Sequence, residues 1–129
     1  MKIRTYNPET DFEGIISLMK AEGEEWSCYC SKENAEKYKL ALAGSITYVA
    51  IEHNIIIGFS RSFKDFDFYM YISDLLVHKE FRGRDIGKEL IGKVCDDFPN
   101  NTIFVMSDVD EYYKKLGFRY EGSIFEVTK

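Results

Sequence analysis

Phe12, Ile15, Ile16 and Met19 recur at the i, i+3, i+4, i+7 spacing of a helix with one buried face. Thr10, followed three positions later by Glu13, has the form of a capping box and sets the start of that helix. Ahead of it, the alternation in residues 2–6 (KIRTY) predicts a short strand. Beyond it, residues 21–30 (AEGEEWSCYC) break the period and read as a loop. Ser31 then precedes a second helix to about Ala43, closed by Gly44 at its C-terminal end.

The pattern next shortens to strand periods. SITYVAIE, the pair His53-Asn54 and IIIGFSRSF predict an antiparallel hairpin, and KDFD turns the chain again. FYMYISDLLV is nearly continuous in apolar residues, which implies a central strand. A helix to about Phe98 follows, with Ile86, Leu90, Ile91, Val94 and Phe98 on its buried side and Pro99 at its stop. TIFVMS reads as a buried strand parallel to its predecessor across that helix. DVDEYYKKLG predicts a brief helix ending at Gly117, and FRYEGSIFEV a last strand or hairpin. The element order is βααβββαβαβ. It corresponds to an α+β fold in α/β/α layers, with a mixed, mostly antiparallel twisted sheet and helices on both faces.

No repeat or low-complexity linker divides the 129 residues, so residues 1–129 form one domain. An apolar content of 45% is ample for a packed core. The net charge of −5 argues against a nucleic-acid binder, which needs a broad basic face. No apolar run near the N-terminus suits a signal peptide or membrane span, and three cysteines fit neither a disulfide framework nor a zinc site. A cytoplasmic protein with reduced thiols, no metal and no membrane or nucleic-acid partner is the expectation.

The positive charge is concentrated in residues 77–91, VHKEFRGRDIGKELI, where a strand ends, a turn holds Arg82, Gly83, Arg84, Gly87 and Lys88, and a helix begins. A helix N-terminus presents unpaired N–H groups and the positive end of the helix dipole, which suits phosphate. Glycine lets main chain approach an oxygen directly. The spacing fits neither a P-loop, being one residue short with Glu89 where a magnesium-ligating hydroxyl is needed, nor a dinucleotide fingerprint, which needs a third glycine. From the residues alone, a solvated basic helix start and a phosphate site both stand.

The turn Arg82-Gly83-Arg84-Asp85-Ile86-Gly87 after a Val-ended strand resembles the acetyl-CoA signature of the GNAT superfamily of N-acyltransferases. EYYKKLGF (111–118) is similar to that family's Phe-Tyr-x-Lys-x-Gly-Phe segment, and the element order matches over nearly the whole chain. Asp85 stands where the family usually has glycine; Asp tolerates positive φ, and its carboxylate beside a diphosphate is unfavourable unless it points outward.

The resemblance implies acetyl-CoA as cosubstrate. Amides from Gly83 through Arg84, Asp85, Ile86 and Gly87 to Lys88 would hold its pyrophosphate, with charge from Arg82. Its pantetheine would lie along Leu75, Leu76 and Val77, and the Leu75 amide would face the thioester carbonyl. Tyr113 takes the general-acid position, the alternative being a plain apolar helix face made with Tyr112 and Leu116. Asp74 is either a proton acceptor or a polar residue at a sheet edge.

The implied reaction is transfer of an acetyl group to a primary amine by direct attack. Glu22, Glu24, Glu25 and Trp26 form either an acidic, aromatic mouth for a small cationic amine or a solvated loop. A peptide N-terminus or lysine as acceptor, a non-catalytic acyl-CoA-binding module, and a nucleotide-phosphate enzyme unrelated to CoA are the alternatives. The terminal strand is placed to pair across a homodimer.

Overall fold

The computed structural model describes residues 1–129. Five strands pair in chain order: β1 (Lys2–Thr5), β2 (Ile46–Glu52), β3 (Ile55–Asp65), β4 (Tyr69–Val77) and β5 (Thr102–Val105). The first three contacts are antiparallel, and β4 with β5 is parallel. The β2–β3 hairpin closes as its sequence predicts. His53 and Asn54 both adopt left-handed backbone (φ 51° and 64°), a geometry that matches the twist of the strands they join.

Alternation along the strands divides the interior into two cores. On one face, α1 (Phe12–Glu22) and α3 (Lys32–Gly44) set Ile15, Met19, Tyr38 and Leu42 against Val49, Phe59 and Leu76. On the other, α4 (Ile86–Asp97) sets Ile86, Leu90, Ile91 and Val94 against Tyr48, Ile57, Met70 and Ile72. Tyr113 of α5 (Asp110–Lys115) and Leu116 just beyond it join the edge of that second core. Ser31 caps α3 as expected, accepting the Asn34 N–H at 3.3 Å.

Four details depart from the pattern. Asp11, not Thr10, precedes α1, and its carboxylate is taken by Arg4 (2.7 and 2.9 Å) and the Asn7 N–H, so no side chain caps that helix. The expected loop 21–30 is largely helical: α1 runs to Glu22, Gly23 turns at φ 114°, and α2 (Glu24–Ser27) leads into a 3₁₀ turn, Cys28–Cys30. Trp26 anchors this segment edge-on to Phe59 (6.0 Å), a tertiary contact that no four-residue periodicity can announce. Gly44 is the last residue inside α3, with extended Ser45 ending it.

The expected last strand is absent. Residues 118–129 pair with nothing in the sheet, and Ile124, Phe125 and Val127 are exposed. Contacts within the segment, Arg119–Glu121 and Tyr120–Ser123, tie it to itself, while β5 offers only four residues for pairing. The observed order is therefore βαααβββαβα.

Candidate active site

The β4–β5 ladder pairs only Tyr69–Ile72 with Thr102–Val105, and its last rung is Met106 N–H to Ile72 O at 2.9 Å. β4 continues to Val77 with β3 alone beside it. From Ser73 to Val77 one edge of the strand lacks a strand partner, and backbone groups left this way seek an extended ligand or water. Leu75, Leu76 and Val77 lie on this stretch. Leu76 is buried in the α1–α3 core, and Leu75 and Val77 pack toward α4. Their side chains are thus committed to packing while their peptide groups border the gap.

The glycine-basic turn follows directly. His78 Nδ1 accepts the Glu80 N–H at 3.1 Å and shapes a 3₁₀ turn, Lys79–Phe81, a structural role. Gly83 (φ 83°) and Asp85 (φ 61°, ψ 19°) then bring the chain to the start of α4. Asp85 adopts the left-handed conformation that glycine takes most readily and Asp tolerates. It is exposed and makes no side-chain cap, so the first-turn amides of α4 are left without a side-chain acceptor. Ile86 is buried beneath them and Lys88 is exposed above. An uncapped helix start beside an unpaired strand edge fits a phosphate-bearing, amide-containing ligand of coenzyme A type.

Two expectations change at this turn. The arginines do not present free charge: Arg82 binds Glu22 (2.6 Å to each oxygen) and the Val77 carbonyl (3.1 Å), and Arg84 binds Glu52 (2.6 and 3.0 Å). Exposed cations beside carboxylates of their own chain pair with them, and a run of basic residues does not show where such partners fold. Gly87 is needed for a reason other than approach to phosphate alone. It has ordinary helical backbone, and a side chain there would overlap the Tyr112 hydroxyl reaching over from α5.

Tyr113 is half-buried, stacked on Phe118 (6.3 Å, 15° between planes) and edge-on to Tyr112 (5.1 Å). Burial, reinforced by Tyr112 and Asp108, pushes its phenol up to about 12, so it holds its proton at neutral pH. Tyr112 and Tyr113 point differently, as neighbours on a helix must: one covers Gly87, the other packs toward the second core.

Asp74 is buried, and its Oδ2 accepts both the Tyr38 hydroxyl and the Arg61 Nε at 2.6 Å. Arg61 lies over the rings of Tyr38 (5.4 Å) and Phe63 (4.8 Å), closing the cluster from above. Oδ2 is thus filled by two donors, whereas no protein group bonds Oδ1. These bonds give Asp74 a structural role through Oδ2. Tyr38 and Arg61 went unnoticed in the sequence because 36 and 13 residues separate them from Asp74.

The segment after α1 forms a wall beside this cluster. Trp26 packs on Phe59 and near Tyr29 (6.1 Å), and Tyr29 lies 4.8 Å from the Tyr38 ring, while Glu24 and Glu25 are exposed.

Residues 43–120 match the family model described as an acetyltransferase (GNAT) domain. An uncharacterized N-acetyltransferase, ycf52, of Pyropia yezoensis is 30% identical over 97 residues, covering 67% of this chain and 56% of that protein. The chain spans about half the length of the first curated relatives it matches. Among solved structures, the PaiA N-acetyltransferase of Thermoplasma acidophilum, in complex with coenzyme A, superposes with a TM-score of 0.73 at 18% identity, over 95% of this chain and 92% of that one. An aminoglycoside acetyltransferase from an uncultured soil metagenomic sample gives a TM-score of 0.74 at 24% identity, over 99% and 97%. Sheet, turn and family match agree: the chain belongs to the GNAT acetyltransferase family.

Proposed function

We propose that this chain transfers the acetyl group of acetyl-CoA to a primary amine, and that the acceptor is a small cationic amine. The observation that carries the reading is the unpaired edge of β4 at residues 73–77, leading into the uncapped start of α4. Amides of Gly83–Lys88 would hold the pyrophosphate, and the peptide groups of Leu75–Val77 would bond the pantetheine arm. Acetyl-CoA, when bound, supplies an acyl group activated as a thioester.

The Leu75 N–H would donate to the carbonyl oxygen as negative charge develops there, a contact that strengthens on the way to the transition state. The amine nitrogen forms the C–N bond as the C–S bond breaks. The Tyr113 hydroxyl gives its proton to the departing sulfur, the proton lost from nitrogen leaves to water, and water returns a proton to the Tyr113 phenolate, so no protein base is required. The acidic residues Glu24 and Glu25 and the Trp26–Tyr29 wall support a cationic acceptor. The likeness to an aminoglycoside acetyltransferase points to the same class. A homodimer joined through residues 118–129 belongs to this reading because Ile124, Phe125 and Val127 are exposed there; a monomer in sedimentation velocity would remove it.

The test is thiol release from acetyl-CoA across a panel of polyamines, amino sugars, aminoglycosides and peptides. Turnover with a small amine supports the reading, and turnover with peptides alone moves the acceptor to protein. Binding of CoA without turnover on any amine makes the chain a CoA-binding module.

A further inference from the structure

Arg82 Nη2 meets Glu22 Oε1 and Oε2 at 2.6 Å across sixty positions of sequence. Glu22 is the last residue of α1, where the negative end of the helix dipole disfavours a carboxylate unless a cation faces it. The next residue is Gly23, at φ 114°, with nothing within 4 Å of the place a side chain would occupy. After that pivot come Trp26 and Tyr29, the wall of the acceptor side. Arg82 itself sits one residue before Gly83, and its Nε holds the last carbonyl of β4, Val77 O. One guanidinium therefore ties the pivot of the acceptor wall to the strand and turn assigned to the cofactor.

We propose that Glu22 is a positioning residue that competes with the cofactor's phosphates for Arg82. This rests on the site reading above. A diphosphate on the amides of residues 83–88 would arrive beside a guanidinium already neutralised by Glu22. Two anions sharing one cation repel, and the more highly charged one draws the guanidinium more strongly. The Glu22 clasp then opens and loosens the link from α1 through Gly23 to the wall, whose other anchor is Trp26 on Phe59. Cofactor occupancy is thereby linked to the acceptor side, and the linkage is reciprocal.

The test is CoA binding by calorimetry, with amide hydrogen exchange of residues 23–31, in the wild type, Glu22→Gln, Arg82→Gln and the double variant. The expected result is that Glu22→Gln binds CoA about three- to five-fold more tightly, the worth of one exposed ion pair. The Glu22 substitution should have no effect once Arg82 is Gln. Exchange at 23–31 should rise on CoA binding in the wild type and start high in Glu22→Gln. Melting temperatures close to the wild type's would show that the variants fold. Equal or weaker CoA binding by Glu22→Gln, or exchange at 23–31 indifferent to CoA, overturns the clasp while leaving the site reading intact. Failure of the wild type to bind CoA overturns both.

Discussion

The Tyr112 hydroxyl rests against the Cα of Gly87, joining α5 to the first turn of α4 at the mouth of the β4–β5 gap. A methyl at position 87 would overlap that hydroxyl, whereas the Tyr112 Cζ lies at 3.4 Å, an ordinary contact. Gly87→Ala is therefore expected to lose its usual helical advantage in the wild type and to recover it in Tyr112→Phe. The recovered amount is about 0.5–1 kcal/mol. Urea unfolding of the four proteins measures it, and an equal effect of the alanine in both backgrounds would deny the contact.

Asp74 is expected to serve the fold through its Oδ2. Asp74→Ala strands the Arg61 guanidinium, whose side chain is 13% exposed, and the buried Tyr38 hydroxyl. Breaking a buried pair from one side costs about 3–5 kcal/mol, and this one, not fully enclosed, belongs at the lower end. A variant as stable as the wild type but without turnover would give Asp74 the role of proton acceptor instead.

Tyr113→Phe is expected to lower kcat by about 10²-fold or more, the lower range for a general acid, with CoA affinity held within about two-fold. Because burial pushes the phenol up to about 12, its ionisation should cause no loss of rate between neutral pH and about pH 10. Unchanged kcat in the phenylalanine variant would take Tyr113 out of the reaction.

The same phenol ties stability to alkaline pH. A tyrosine raised from 10.0 in the unfolded chain to about 12 in the fold contributes stability that is complete below pH 10. That stability is lost as pH rises through the folded value. The loss is on the order of 2 kcal/mol by linkage. Tyr38 and Tyr48, raised chiefly by burial and further by the Asp74 and Asp97 carboxylates they bond, act in the same direction. Urea midpoints at pH 8, 10 and 11 should fall in sequence, and more gently in Tyr113→Phe; a flat profile would contradict the burial of these phenols.

The sequence disclosed what depends on neighbours along the chain. The His53-Asn54 turn, the Ser31 cap, the apolar stripe of α4 and the tolerance of Asp85 for positive φ are local matters of backbone and spacing, and each stands in the structure. What depends on distant partners was hidden. Arg82 and Arg84 looked like free charge until folding set Glu22 and Glu52 beside them. At Gly87 the sequence held no sign of the Tyr112 hydroxyl that also requires a glycine there. The helix at 24–27 is held by Trp26 against Phe59 and has no period of its own to read. Residues 118–129 show the opposite failure, since strand-like composition does not supply a strand with an edge to join.

The central claim is that the peptide groups of residues 83–88 and 75–77 grasp coenzyme A, and amide chemical shifts of the ¹⁵N-labelled protein under CoA titration test it most directly. The account predicts saturable shifts that are largest at Gly83–Lys88 and Leu75–Val77. Shifts confined to other parts of the chain, or none at all at saturating CoA, would contradict it.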